Sequence, residues 1–248
     1  MLKQAIWLAA LLAVSGGAAA EEMTYADCTS MVDRDARAAE QRAAAWQSHG
    51  GGMAAMHCHA LALYALKRYG EAARVLDALG SNRSIPAADR AALYDEAGQA
   101  WLLAGKAQDA VESFSAALTA QPNAVSYLAD RARARAMLKD WKGADADLGT
   151  ALLQDQNRAD LLVLRASARW ALGDKKGAAI DIVRALELYP DYPPALLERG
   201  KMKYFAGDAN GARRDWKTAA ATGQGETVAE ARRLLAEAGP AETPLSVK

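Results

Sequence analysis

Large apolar, small apolar and turn-forming positions recur through the middle of this chain every 34 residues. Taking Ala91 as the start of a unit, the next units begin at Val125, Ala159 and Pro193. The fourth position holds Tyr94, Leu128, Leu162 and Leu196, and the eighth is small in every unit: Gly98, Ala132, Ala166 and Gly200. The fifteenth reads Gly105, Lys139, Gly173 and Gly207, a turn signal in three of the four units. Beyond it stand Ala110, Ala144, Ala178 and Ala212, followed four residues later by Phe114, Leu148, Ile182 and Trp216. Three residues after those come Ala117, Ala151, Ala185 and Ala219. Intervals of four and three put these side chains on one helical face. Small residues let two helices approach, and the large one fills the space between them. Each unit is therefore predicted to be a helix, a tight turn and a second helix, with an apolar face that only neighbouring units can cover.

The 91–124 unit, with Gly98, Trp101, Gly105, Ala110, Phe114, Ala117 and Pro122, resembles the tetratricopeptide repeat family, and the period recurs in phase. A weaker unit precedes it from about Met53, with Ala60 and Leu63 in its first helix and Tyr69, Ala72, Leu76 and Leu79 in its second. The step from Met53 to Ala91 is 38 residues, and the excess is expected in the loop Gly80–Pro86. The resemblance implies an all-α fold, an α–α superhelix of about five helix-turn-helix repeats: 53–90 (divergent), 91–124, 125–158, 159–192 and 193–226.

The flanks read as caps. Within 21–52, residues 24–48 are helical by pattern, with Met31, Ala38, Ala45 and Trp46 as apolar positions, and end at Gly50-Gly51-Gly52. Residues 227–238 are expected to form one more amphipathic helix through Val228, Ala231, Leu234 and Leu235, closing the open end of the stack. The last ten residues, 239–248, carry two Pro and are expected to be a disordered tail.

Met1 to Ala20 has the composition of a secretory signal peptide: Lys3, an uncharged apolar stretch from Ala5 to Val14, and small residues Ala18-Ala19-Ala20 before Glu21. Ten apolar residues are too few to cross a bilayer, which takes about 20. Cleavage would leave 29 basic against 30 acidic residues. Such a balance offers no basic field for nucleic acid. Export also bears on the two cysteines, Cys28 and Cys58. In an oxidising compartment they are expected to form one disulfide. In the chain-entropy model, closing that loop stabilises the fold by about 3–4 kcal/mol. Two free thiols would instead suit the cytosol or redox work, but there is no C-x-x-C.

The last three units also carry Arg131, Arg165 and Arg199 at the seventh position and Asp147, Asp181 and Asp215 at the twenty-third. Ala97 and Ser113 replace both partners in the 91–124 unit. That joint presence and absence points to a structural ion pair between the two helices of a unit, matched one to one, rather than a basic stripe for an anionic ligand. All three histidines, His49, His57 and His59, lie within eleven residues. Residues two apart on a helix point in different directions, so His57 and His59 are poorly spaced to share a metal. No Walker lysine loop, dinucleotide fingerprint, G-x-S-x-G or H-E-x-x-H occurs. The expectation is a chain that is not an enzyme and takes no cofactor or metal.

In the family, the first helix of each unit lines a concave groove along which partner peptides lie. Carried over by phase, the groove-facing candidates are Asp95, Gln99, Arg133, Trp170, Lys201 and Tyr204, a mixed set suited to anchors and hydrogen bonds. Packing between units is the competing role for Trp170 and Tyr204. The repeated Lys/Asn/Arg array with which family members clamp a C-terminal carboxylate does not occur here. The expected function is a soluble periplasmic scaffold binding another protein or peptide, without nucleic acid and without membrane insertion after cleavage. A role in assembling envelope polysaccharide or peptidoglycan is the alternative.

Overall fold

The structure is a computed structural model that describes residues 23–238, so the expected leader at 1–20 and tail at 239–248 lie outside the described residues. Within them, every regular element is an α-helix. Two N-terminal helices, α1 (Tyr25–Arg34) and α2 (Ala36–Ser48), precede five helical pairs. The pairs are α3 (Gly52–Ala65) with α4 (Tyr69–Gly80), α5 (Ala87–Leu103) with α6 (Ala107–Ala120), and α7 (Val125–Met137) with α8 (Trp141–Gln154). They continue with α9 (Ala159–Ala171) and α10 (Lys175–Leu188), then α11 (Pro193–Phe205) and α12 (Ala209–Thr222), and α13 (Gly225–Glu237) closes the series.

The turn inside each pair has a local cause. The fifteenth position of all five units is left-handed: Lys67 and Lys139 at φ 60°, Gly105 at 72°, Gly173 at 86° and Gly207 at 88°. Glycine takes this conformation without a Cβ penalty, whereas the two lysines hold it against their own side chains. In the last three units the following residue, Asp140, Asp174 or Asp208, caps the second helix by accepting from the backbone N–H of Gly143, Gly177 or Gly211.

Packing follows the small-against-large alternation. Gly98 lies so close to the Phe114 ring that a Cβ there would stand 2.5 Å from Cε1. Gly200 meets the Trp216 indole, whose Nε1–H donates to the Leu197 carbonyl at 3.2 Å. Phe114, Leu148, Ile182 and Trp216 are all fully buried, each contributing about 2–3 kcal/mol of apolar burial. One continuous core runs from Leu118 to Ala231, joining α6 through α13. Helices pack in chain order, and successive first helices also touch, α5 on α7, α7 on α9, α9 on α11, with α11 on α13. The first helices therefore form a row.

Three sequence expectations shift. Segment 24–48 is two helices broken at Asp35, which caps α2 through the Ala38 N–H. Its buried residues are Cys28, Ala39 and Ala43, while Ala45 is exposed. Alanines crowd every face of α2, so the pattern carries no phase, and α3 decides which face is covered. Gly80 ends α4 rather than opening the loop, and α5 starts at Ala87, so the extra residues partly extend the first helix. The closing helix begins at Gly225, two residues early, with Ala231 buried and Leu234 and Leu235 packed on the core. Cys28 and Cys58, both fully buried, are joined at a Cα–Cα distance of 6.2 Å and tie α1 to α3.

Candidate functional site

The six groove candidates fall on the row of first helices, but in different environments. Asp95 on α5 is half-buried; its Oδ2 accepts from Gln99 Nε2 at 2.8 Å, while the enclosed Oδ1 has no hydrogen-bond partner among the described residues. Burial, and then the nearby charge of Asp130, push its carboxyl up to about 6, against the weaker pull of the Gln99 bond. Burial and the Asp95 charge likewise raise the Tyr127 phenol. Gln99 is exposed, and Arg133 on α7 is exposed and bound to Asp130. Lys201 on α11 is held by Glu198 at 2.9 Å and by Glu230 of α13 at 3.6 Å, so its charge is already answered.

The two aromatics divide. Trp170 is partly buried against the core, 5.9 Å from the Phe205 ring of the next unit, with Lys175 Nζ 5.5 Å over its face. Tyr204 leans on Trp216 at 5.6 Å and leaves 46% of its surface to solvent. Beside them runs a stripe that sequence reasoning missed. Leu103, Met137 and Phe205, exposed by 52%, 57% and 73%, occupy the same position of α5, α7 and α11, with the smaller Ala171 between them on α9. The signal was present as another 34-residue recurrence, at a position where burial was not expected.

The charge ladder is denser than a one-to-one match. Arg131, Arg165 and Arg199 each grip the aspartate of their own unit with two hydrogen bonds of 2.7–2.9 Å. Each aspartate also takes a second cation from one helical turn later: Arg135 on Asp147 at 2.7 Å, Arg169 on Asp181 at 2.9 Å, and Lys203 on Asp215 at 2.8 Å. The match is therefore two cations to one carboxylate, because positions four apart on a first helix share the face towards the second. Burial works to raise the Asp215 carboxyl, but the bonds from Arg199 and Lys203 outweigh it and hold it below its ordinary value. In the α5–α6 unit, Trp101 and Ser113 stand at those positions and instead donate to Asp77 of the preceding unit, at 2.8 and 2.7 Å. The ladder turns inward, with Asp147, Asp181 and Asp215 all buried.

The histidines separate as well. His57 Nδ1 is 2.7 Å from the Tyr25 hydroxyl and Nε2 is 2.9 Å from Glu96 Oε2, while His59 lies 4.0 Å from Glu40. Both His57 nitrogens are engaged, which ties α3 to α1 and α5. No helix among the described residues is long and apolar enough to cross a membrane.

No protein-family model matches the chain, and no curated protein matches it. Solved structures do. A crystal structure of MamA superposes with a TM-score of 0.57 at 15% identity, covering 72% of this chain and 96% of that one. MamA residues 41 to the end from Desulfovibrio magneticus RS-1 gives 0.55 at 19% identity, over 63% of this chain and 87% of that one. The first TPR of Spaghetti (RPAP3), bound to an HSP90 peptide, gives 0.46 at 26% identity, over 48% of this chain and 95% of that one. The likeness to MamA extends over most of the chain and shows a shared fold, a solenoid of paired helices.

Proposed function

We propose that this tetratricopeptide-type solenoid is a non-catalytic scaffold that holds another polypeptide along the row of first helices α5, α7, α9 and α11, its concave face. The observation that carries this reading is the exposed stripe Leu103, Met137 and Phe205, running beside the polar Gln99 and Arg133 and the half-exposed Tyr204. Apolar side chains left in register on a folded surface mark an interaction site, and aromatic anchors with polar neighbours give it specificity. A row of parallel helices presents such groups at fixed intervals, which suits an extended chain. Asp95 and Lys201 contribute less, since one is half sealed and the other already paired. The Cys28–Cys58 bridge and the expected leader support export to the periplasm, where a disulfide persists.

Affinity capture from an envelope extract tests the reading. The mature protein is compared with Tyr204→Ala and with Phe205→Ser, both at exposed positions. The reading expects a partner retained by the parent and lost, by about tenfold or more, from each variant. Equal capture by all three would overturn it.

A further inference from the structure

An open pocket of about 390 Å³ lies at the N-terminal end of the solenoid, and none of the six groove candidates lines it, although Asp95 and Gln99 stand on the same helix, α5. Its floor is apolar, built from Leu79 at the end of α4, Ile85 in the following loop and Leu93 on α5, with Met53 of α3 at the side. The volume falls within the range of clefts that enclose small ligands or anchor side chains, roughly 300–1,000 Å³. Tyr25 lines it from α1, an element that is not part of any repeat.

The charged side chains around this floor are acidic apart from His57, which is turned onto Glu96 at 2.9 Å. Asp89 and Glu96 line it, and the lining includes no Lys or Arg. Asp89 makes no ion pair or side-chain hydrogen bond among the described residues. Glu96 is fixed through Oε2 by His57, which Tyr25 holds in turn, and its Oε1 accepts nothing among the described residues. Arg90, the one cation on α5, turns its guanidinium to the Ile85 carbonyl at 3.4 Å. A positioned carboxylate oxygen over an apolar floor, with a second carboxylate two turns away on the same helix, is complementary to cations carried on an apolar body.

We propose that this pocket binds a basic, apolar segment of a partner polypeptide, a large aliphatic side chain entering over Leu79 and Leu93 with a neighbouring Lys or Arg on Glu96 and a further one towards Asp89. This rests on the scaffold reading, since it takes the cation to arrive on a polypeptide. The Tyr25–His57–Glu96 chain acts here as a positioning device for the carboxylate.

Fluorescence anisotropy tests it, using two labelled peptides of equal length, one alternating Leu and Lys, the other alternating Leu and Glu. The proteins are the parent, Ala92→Trp, Glu96→Gln and Tyr204→Ala. Ala92 is exposed and lines the pocket, so an indole there fills it without entering the core. The Leu-Lys peptide is expected to bind the parent at least about tenfold tighter than the Leu-Glu peptide. Ala92→Trp and Glu96→Gln should each lower that affinity by about tenfold, and circular dichroism checks that both are folded. Equal binding of the two peptides, unchanged affinity in Ala92→Trp, or no binding to the parent would each overturn the pocket. Loss in Tyr204→Ala with no loss in Ala92→Trp would overturn it while leaving the scaffold reading standing.

Discussion

Replacing Asp181 by Ala should damage the solenoid more than replacing either of its partners. Asp181 is 2% exposed and accepts three charged hydrogen bonds, two from Arg165 at 2.9 and 2.7 Å and one from Arg169 at 2.9 Å. The arginine side chains are only 18% and 25% exposed, so without the carboxylate Arg165 loses its acidic partner largely out of water, while Arg169 keeps Asp145 at 2.9 Å. Stripping one partner from such a site costs about 3–5 kcal/mol. Arg165→Ala leaves Asp181 with Arg169 still attached, and should cost about 2 kcal/mol. The double variant Arg165→Ala/Arg169→Ala leaves the buried carboxylate alone, so its cost should exceed the sum of its singles by about 1–2 kcal/mol. Urea unfolding followed by far-ultraviolet circular dichroism gives the ranking. Hydrogen exchange in α9 and α10 guards against unit-by-unit unfolding, which repeat arrays permit. Strict additivity of the two arginine variants, or an Asp181→Ala midpoint equal to that of the parent, would refute the shared-carboxylate geometry.

Three other outcomes follow from particular contacts. Lys139→Gly should raise stability by about 0.5–1 kcal/mol, because Lys139 holds a left-handed turn at φ 60° that glycine adopts freely; an unfolding midpoint at or below the parent's would contradict this. Asp95→Asn should stabilise at pH 7.5 and do little below pH 4: the folded carboxyl titrates at about 6, above its unfolded value of about 3.9. Between those values only the folded state keeps the proton, so parental stability falls as pH rises through the window and stays lower above it. With solvent screening allowed for, the gain is about 1 kcal/mol, and a gain independent of pH would remove the cause assigned to it. Trp170→Ala should cost about 3 kcal/mol of stability through lost packing against Phe205 and the core, whereas Tyr204→Ala should cost less and act on partner capture; thermal melts of the two decide it.

The helical pairs were legible because their packing rule is one-dimensional. A small residue at the eighth position, a large one at the twenty-fourth and a turn at the fifteenth each repeat at 34 residues, so independent positions agree on one register. Even Lys139, which breaks the glycine pattern, takes the same turn, because the helices on both sides dictate it. What the pattern could not show was which repeating positions within a unit share one partner. The second cation on each aspartate sits one helical turn from the first, and only the inward tilt of both side chains reveals that they share a partner. Alanine-rich α2 was misphased because alanine marks no face. His57 read as an ordinary histidine, since its partners Tyr25 and Glu96 lie 32 and 39 residues away on other helices and no local spacing encodes them. The exposed stripe differs: its 34-residue spacing is visible, but an apolar residue in a repeat is as compatible with burial between units as with exposure, and only the packed structure separates the two.

Site-specific photo-crosslinking tests the scaffold claim most directly. A photoreactive residue is placed in turn at Gln99 on α5 and Phe205 on α11, and at Glu187 on α10 and Lys217 on α12, all four being exposed. Each variant is expressed in the native envelope and irradiated. The account predicts that one partner polypeptide becomes attached from the first-helix positions 99 and 205, with none from the second-helix positions 187 and 217. Attachment from the second-helix positions alone would contradict it and move the binding face to the other side of the solenoid.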